Sequence, residues 1–289
     1  MEYVKLVLLT IVVLSGLVMG IYWYRSRLSR NDVRWPTPRE LAVGFGTEFF
    51  DALGIGSFAP TTALFKLFRL VPDELIPGTL IVGHCCGVIL QSLIFVTSVA
   101  VDPLLLAAMV LAATVGSWFG AGIVSVLPRR TIQLFMGVAL IIAGAVFAAK
   151  NLHWLPSDGI VLALSGWKFW VAVLASLILG ALMTAGIGMY APTMILIALL
   201  GMNPLAAFPI MMGACALLQS VSGIRFIRSA RFAFGAALGL TLGGFTGVLI
   251  AAFVVKELPL EWLRWLVVGV VFYAAIAMLR ARADQPALT

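Results

Sequence analysis

The chain has 289 residues, of which 62% are hydrophobic and 11% charged, and its formal net charge is +7. Soluble globular domains carry roughly 45–50% apolar and about 25% charged residues. This chain could not cover itself with polar surface, so its composition excludes a soluble fold and predicts an all-α integral membrane protein. The basic residues lie scattered between apolar runs, which indicates basic loops at a membrane surface and membrane lipid, not nucleic acid, as a partner.

Motifs for metal binding or catalysis are missing from the sequence. The cysteines Cys85, Cys86 and Cys215 show no CxxC or Cys/His ligand spacing, so we predict no metal site and no cofactor. No HExxH or GxSxG pattern lies in a loop, and we predict that the protein is not an enzyme.

The N-terminal segment reads as a membrane anchor. Residues 6–24 are apolar over about the 20 residues that cross a bilayer, and arginines follow between Arg25 and Arg39. A signal peptide carries its charge before the apolar stretch. We therefore predict an uncleaved transmembrane helix and a basic cytoplasmic loop over residues 1–40, in the plasma membrane (the inner membrane of a bacterium).

The most informative feature is an internal repeat. The motif Gly-Ile-Gly-Ser-Phe-Ala-Pro-Thr at 54–61 recurs 132 positions later as Gly-Ile-Gly-Met-Tyr-Ala-Pro-Thr at 186–193. With small gaps, Gln91 falls on Gln219 in the same order along the chain. These matches predict two homologous halves.

The two halves have the same coarse plan. We predict a first transmembrane repeat over 41–150, a linker over 151–172, and a second repeat with a short C-terminal tail over 173–289. Each half opens with a segment interrupted by Gly-Ile-Gly and Pro, and three membrane-crossing helices follow. We predict these helices at about 76–98, 103–126 and 130–149 in the first half and at about 208–224, 232–255 and 262–280 in the second.

The interruptions predict breaks in the helices. A glycine lowers helix stability by about 1 kcal/mol and a mid-helix proline by about 3 kcal/mol, but proline is favoured in the first turn. We predict two half-helices in the first copy, one ending near Leu53 and the next starting around Ala59, and a second break at 185–191. Non-helical backbone at membrane depth survives only inside protein or beside a wet cavity, so the breaks mark an interior site.

Each interrupted segment either crosses the membrane or returns as a re-entrant hairpin. Cytoplasmic loops are enriched in Lys and Arg. The re-entrant arrangement places more of the 19 Lys and Arg residues on the cytoplasmic side than the crossing arrangement does. A hairpin plus three crossings also inverts the second half relative to the first, so the charges favour inverted repeats.

The breaks predict a binding site for a small anion. The second half-helix of each pair points its N-terminus into the membrane, and a helix N-terminus carries about +0.5 of an elementary charge and free N–H donors. Close packing of small residues is the alternative use of such glycines. The predicted substrate-binding residues are Gly54, Gly56, Ser57, Pro60, Thr61, Gly186, Gly188, Tyr190, Pro192 and Thr193.

Ionisable side chains in apolar runs suggest coupling to protons. Glu48 and Asp51 lie three apart, hence on one helix face, and His84 lies in a later apolar run. Glu48 and Asp51 either carry protons during transport or form a structural pair satisfied by backbone N–H groups or by an arginine from a neighbouring loop. His84 either relays protons or bonds the substrate, or is a lone histidine hydrogen-bonded within the bundle. The repeat-related Gln91 and Gln219 either line the cavity or link helices.

At these residues the chain resembles the TauE/SafE family of sulfite and organosulfonate exporters. The resemblance rests on two tandem halves over 41–280, each opening with Gly-Ile-Gly and a following proline. Family members show a richer glycine run, GIGGG, where this chain has Gly-Ile-Gly-Ser with an earlier proline. The resemblance implies export of a small sulfur-containing anion from the bacterial cytoplasm, coupled to an ion gradient.

Three other functions compete with this prediction. A cation transporter or channel could use Glu48 and Asp51 as ligands, although hard cations need several oxygen ligands. A membrane-embedded enzyme and a structural subunit are the others. The sequence leaves open the identity of the anion, the direction of transport, the coupling ion and whether the chain forms a homo-oligomer.

Overall fold

The fold is helical throughout its described part. The computed structural model describes residues 2–28, 33–54, 56–123, 161–184 and 188–257, with isolated positions between 134 and 152 and between 265 and 280. Within these residues the β-structure is a single bridge between Val161 and Met202, so the all-α prediction is confirmed. The predicted membrane helices at 130–149 and 262–280 lie outside the described residues except for isolated positions.

The helices follow the apolar runs of the sequence. The continuous described ranges contain α1 Glu2–Arg27, α2 Pro38–Ala52, α3 Phe58–Phe68, α4 Ile76–Ser98, α5 Pro103–Ile123, α6 Trp167–Met183, α7 Tyr190–Leu199, α8 Ala207–Arg228 and α9 Phe234–Glu257. Short 3₁₀ helices at Asp73–Leu75 and Pro204–Ala206 precede α4 and α8.

Membrane-spanning helices are present in the number expected of a multi-pass protein. Within the described residues, five helices are long and apolar enough to cross a bilayer. They are Tyr3–Arg27, Ile76–Ser98, Pro103–Gly120, Pro204–Arg228 and Phe234–Phe253. The prediction of a multi-pass membrane protein is therefore confirmed at this level.

The first helix of each half begins earlier than predicted. The Thr37 side chain accepts a hydrogen bond from the Glu40 backbone N–H, and the Glu40 carboxylate accepts one from the Thr37 backbone N–H at 2.8 Å. This capping box starts α2 at Pro38, three residues before position 41. In the second half, α6 starts at Trp167, inside the predicted linker, directly after Gly166 with its φ of 58°.

Helices α4 and α8 pack in opposite directions. Gly78, in the first turn of α4, lies against Phe226 near the end of α8. Ser92, further along α4, lies against Gly213 near the start of α8. The two helices therefore run antiparallel through the middle of the bundle.

Helix α9 packs parallel to α2, and α5 packs parallel to α6. Gly239 lies against Glu40 at the start of α2, and Gly247 lies against Phe49 nearer its end. In the other pair, Gly116 lies against Leu177 and Gly120 against Ala181. Glycine permits this approach, because small residues let the backbones of membrane helices come into contact.

The starts of α2, α4 and α9 meet at one end of the bundle, which we call the basic end. The Arg34 side chain, just before α2, lies against Gly235 in the first turn of α9. The Thr79 hydroxyl, in the first turn of α4, accepts a hydrogen bond from the Ala233 N–H at 2.9 Å. Three helices of the bundle therefore begin at the same depth.

The start of α6 and the end of α7 meet at the opposite end. Lys168 Nζ donates a hydrogen bond to the Leu200 carbonyl at 3.0 Å, and the Asn203 N–H donates to the Val161 carbonyl at 3.0 Å. The Asp102 N–H, just before α5, donates to the Leu162 carbonyl at 3.0 Å. The opposite end therefore gathers the segments that lead into α5, α6 and α8.

We expect Gly243→Leu to destabilise the protein strongly, since even a Cβ at this position would overlap the Leu41 carbonyl oxygen of α2. Overpacking of this kind costs about 1–3 kcal/mol, and the neighbouring atom here is backbone, which cannot change rotamer. Gly46→Leu is the matched control, because a Cβ there meets nothing within 4 Å. Thermal unfolding in detergent checks the pair, and equal stability of the two variants would contradict the close α2–α9 contact.

Candidate functional site

Two carboxyl groups are buried on one face of α2. The side chains of Glu48 and Asp51 belong to residues that are 0% and 1% exposed. Gly87 of α4 makes room for Glu48, because a Cβ there would lie 2.7 Å from its carboxylate carbon. The backbone of α4 thus packs directly on the carboxylate, at the middle of a 23-residue helix.

Gln91 of α4 joins the two acids. Its Nε2 donates hydrogen bonds to Glu48 Oε2 at 2.8 Å and to Asp51 Oδ2 at 2.9 Å. Its Oε1 accepts a hydrogen bond from the Tyr190 hydroxyl of α7 at 3.2 Å. The amide orientation is fixed by these partners, since the reverse orientation would turn an oxygen toward two carboxylates.

His84 of α4 extends the cluster to α3. Its Nδ1 lies 2.7 Å from Glu48 Oε1, and its Nε2 lies 3.0 Å from Thr61 Oγ1. The Thr61 hydroxyl also donates to the Ser57 carbonyl at 2.7 Å. Side chains of α2, α3, α4 and α7 therefore form one buried hydrogen-bonded network, which we call the acidic network.

A cavity of about 10 Å³, which is room for about one water molecule, adjoins the acidic network. Six of the predicted site residues line it, and they come from both halves of the sequence: Asp51, Gly56, Ser57, Gly188, Tyr190 and Gln219. Apolar side chains complete the wall: Phe58, Val88, Met183 and Met189. Gly56 of the first Gly-Ile-Gly motif and Gly188 of the second thus line the same interior space.

The backbone around the cavity requires glycine in the first interruption. Gly54 and Gly56 have φ values of 90° and 85°, a region that residues with a Cβ rarely adopt. Gly188 has no such constraint, and a Cβ there would meet nothing within 4 Å. The two motifs therefore use glycine differently, one for conformation and one for space.

Two buried polar atoms lack a hydrogen-bond partner. They are Gln219 Oε1 and Thr193 Oγ1, and Gln219 lines the cavity. The positions that the sequence repeat pairs with them, Gln91 and Thr61, are bonded to Glu48, Asp51 and His84, whereas the corresponding positions of the second predicted repeat hold Gly180, Met183 and Ala214. Because buried polar groups are nearly always satisfied and an amide oxygen only accepts, the unpaired Gln219 Oε1 indicates a place for a hydrogen-bond donor.

The other predicted residues lie near the cavity without lining it. Gln91 belongs to the acidic network instead of the cavity wall. Thr61 is buried against His84, and Gly54 packs against Phe208. Pro60 and Pro192 lie in the first turns of α3 and α7. Gly186 lies outside the described residues.

The sequence analysis did not predict the residues that fix the start of α2 or the apolar residues of the cavity wall. The Thr-Pro-Arg-Glu at 37–40 is a recognisable capping-box signature, and Arg34 Nη1 donates to Glu40 Oε2 at 2.9 Å. Phe58, Met183 and Met189 carried no signal, because apolar residues in an apolar chain look alike. In the described part of the chain, no group of three His, Cys, Asp or Glu side chains is arranged to hold a metal ion.

Comparison with protein-family models, with curated proteins and with solved structures gave no match. The resemblance to the TauE/SafE family therefore rests on the sequence motifs and stays a prediction.

The repeat-related glutamines provide a matched test of the acidic network. We expect Gln91→Leu to lower the free energy of unfolding by several kcal/mol, since each buried partner left unpaired costs about 1–3 kcal/mol. Gln219→Leu should leave stability unchanged or raise it, because the Gln219 carbonyl oxygen has no partner to lose. Thermal unfolding in detergent decides, and equal destabilisation by both substitutions would contradict the assigned hydrogen bonds.

Proposed function

We propose that this protein is a secondary transporter that binds a small anion between the tips of two re-entrant hairpins. The observation that carries the proposal is an interior cavity that Gly56 and Gly188 of the two Gly-Ile-Gly motifs both line, with the first residues of α3 and α7 in its wall. Transporters place substrate sites near the bilayer midplane, between broken helices from two related halves.

The positions of the helix ends support re-entrant hairpins. Helices α2 and α4 both start at the basic end, so α3, which lies between them in the chain, has to return to that end. In the second half, the hydrogen bond from Lys168 to the Leu200 carbonyl joins the start of α6 to the end of α7. Each hairpin then enters and leaves on one side of the bundle, the first at the basic end and the second at the opposite end.

The packing pattern supports an inverted repeat. The repeat pairs α4 with α8, and these helices run antiparallel. The repeat also pairs α2 with α6 and α9 with α5, and both pairs make the same contact. Glu48 of α2 lies against Gly244 of α9. Gly180 of α6, which is 132 positions after Glu48, lies against Ala113 of α5. A two-fold axis in the plane of the membrane produces this exchange of partners.

The charges support an orientation with the basic end in the cytoplasm. In the continuous described ranges, nine basic residues lie toward the basic end: Arg25, Arg27, Arg34, Arg39, Lys66, Arg69, Arg225, Arg228 and Arg231. Three lie toward the opposite end: Lys5, Lys168 and Lys256. Cytoplasmic loops carry the excess of Lys and Arg in membrane proteins.

Helix ends supply the attraction for an anion. Helices α3 and α7 begin at Phe58 and Tyr190 in the cavity wall, and each N-terminus contributes about +0.5 of an elementary charge. Ser57, Tyr190 and Gln219 add polar groups to the same wall. The cavity has room for about one water molecule, so an anion of a few heavy atoms enters only when the tips of the two hairpins move apart.

The substrate class rests on the resemblance described above. Export of sulfite or an organosulfonate from the bacterial cytoplasm agrees with an anion site at helix N-termini. Transport of a cation is the second candidate, and Asp51 in the cavity wall is the observation that favours it. Flux measurements with both kinds of solute separate the two.

The first test is flux into proteoliposomes. We expect saturable uptake of sulfite, methanesulfonate or sulfoacetate, and none of potassium or sodium. Gly188→Leu should reduce that flux at least tenfold, because the leucine side chain would occupy the cavity without straining the backbone. Gly46→Leu, outside the cavity wall, should transport like the wild type. Cation flux in place of anion flux would overturn the proposal.

Cysteine labelling tests the hairpins. In a background without Cys85, Cys86 and Cys215, a cysteine at Lys66 should react with impermeant maleimide from the cytoplasmic side. A cysteine at Lys168 should react from the opposite side. If α2 and α3 formed one crossing, the cysteine at position 66 would instead react from the side opposite to a cysteine at Arg39.

A further inference from the structure

The proposed anion site also contains the carboxyl group of Asp51, which repels an anion when it is ionised. This repulsion suggests how transport is coupled to protons. We propose that Asp51 takes up one proton with each anion, whereas Glu48 and His84 keep a shared proton throughout the transport cycle. This inference rests on the proposed function and divides the roles of the three ionisable residues of the acidic network.

The hydrogen bonds fix one proton on His84. The Thr61 hydroxyl has a single proton, and it donates that proton to the Ser57 carbonyl at 2.7 Å. Thr61 Oγ1 can therefore only accept from His84 Nε2, 3.0 Å away. The Nε2 nitrogen consequently carries a proton.

A second proton lies between His84 and Glu48. Nδ1 of His84 and Oε1 of Glu48 are 2.7 Å apart, a distance that requires a proton between them. Either Nδ1 holds it and an imidazolium faces a carboxylate, or Oε1 holds it and both groups are neutral. In both cases the net charge of the pair is zero. Loss of this proton would set a nitrogen lone pair against a carboxylate oxygen, so the pair retains it.

Among the described residues, no neighbouring positive charge neutralises the Asp51 carboxylate in the way that His84 neutralises Glu48. The hydrogen-bond partners of Asp51 are all neutral: the Gln91 amide donates at 2.9 Å, and the Ser57 and Tyr190 side chains also bond to its carboxyl group. The ionisable groups that act on it are Glu48 of its own helix, His84 of α4, Tyr190 of α7 and Cys215 of α8. None of them is a lysine or an arginine, and the charges of Glu48 and His84 cancel. Asp51 is therefore the acid in the cavity wall whose own charge decides the charge of the site.

An anion in the cavity raises the demand for a proton on Asp51. Two negative charges about 5 Å apart at an effective dielectric constant of about 20 weaken binding on the order of a hundredfold. A proton from the same aqueous side removes that repulsion by forming the neutral acid of Asp51. On release, the carboxylic O–H bond breaks again and the proton leaves with the anion. One monovalent anion and one proton then cross together, and no net charge moves. The direction follows the combined chemical gradients of anion and proton, so export requires an outward anion gradient larger than the opposing proton gradient.

Electroneutral symport gives a sharp readout. We would measure uptake of radiolabelled methanesulfonate, a monovalent anion fully ionised at neutral pH, into proteoliposomes with a pH gradient or a potassium–valinomycin potential. The wild type should respond to the pH gradient and not to the potential, and a pH dye should report one proton per anion. Uptake that follows the potential would overturn the inference without affecting the proposed function, whereas no anion flux at all would overturn both.

Three carboxyl-to-amide variants locate the proton. Asp51→Asn keeps the shape and stays neutral, so its uptake should follow the potential, and the acceleration by a pH gradient should fall at least tenfold. Glu48→Gln should keep its response to the pH gradient, because the new amide N–H can donate to His84 Nδ1. Glu74→Gln, an exposed carboxyl group before α4, is the control and should behave like the wild type. Loss of proton coupling in Glu48→Gln, with coupling retained in Asp51→Asn, would contradict the assignment.

Size-exclusion profiles identify a variant that does not fold. In that case the response of wild-type uptake to the pH gradient and to the potential tests the electroneutral symport.

Discussion

The arrangement of helices around the site depends on two carboxyl groups that α2 carries into the middle of the bundle. Transfer of an unpaired carboxylate out of water costs several kcal/mol, so partners have to be supplied at that depth. Helix α4 supplies His84 and Gln91 for this purpose, and Gly87 lets its backbone approach Glu48. Gln91 in turn holds the Tyr190 hydroxyl of α7. The acids therefore bind together segments that are distant in sequence.

The two predicted repeats contribute different things to the site. The first provides the acidic network and the glycines Gly54 and Gly56 with positive φ. In the second, the positions that correspond to Glu48, Asp51 and His84 hold Gly180, Met183 and Ala214, which carry no ionisable group. The second leaves Gln219 Oε1 without a partner and open space beside Gly188.

Much of the fold could be predicted from the sequence, because glycine, proline and charge are informative in an apolar chain. The expected helix ends near Leu53 and Ala59 fall beside the observed Ala52 and Phe58, and α4 spans the predicted 76–98. Periodicity could not reveal which helices touch, since nearly every face of these helices is apolar. The pairing of α2 with α9 depends on glycines whose packing role is visible only in three dimensions.

The sequence named several residues of the cavity wall but none of the connections between them. The duplicated motif predicted Gly56 and Tyr190 as substrate-binding residues and Gln219 as lining the cavity, and all three line it in the structure, whereas Asp51 was predicted only to carry protons. The sequence could not say that Gln91 bonds both acids, because that contact joins residues 40 and 43 positions apart in different helices. Nor could it distinguish Glu48, which shares a proton with His84, from Asp51, which faces the cavity.

The central claim is that the tips of two hairpins from opposite sides meet at one site, and a cross-link tests it directly. A Cβ at Gly56 would lie 3.8 Å from the Tyr190 Cβ, within the usual range of about 3.5–4.5 Å for a disulfide. We would combine Gly56→Cys and Tyr190→Cys in a chain that lacks the three native cysteines, oxidise it in membranes and identify the linked peptides by mass spectrometry. The account predicts efficient formation of the disulfide and a block of any remaining anion flux that reduction relieves. Because Gly56→Cys strains a backbone with a φ of 85°, a size-exclusion profile first establishes that the double variant folds. Failure of the folded protein to cross-link, or flux that continues through the cross-linked protein, would contradict the account.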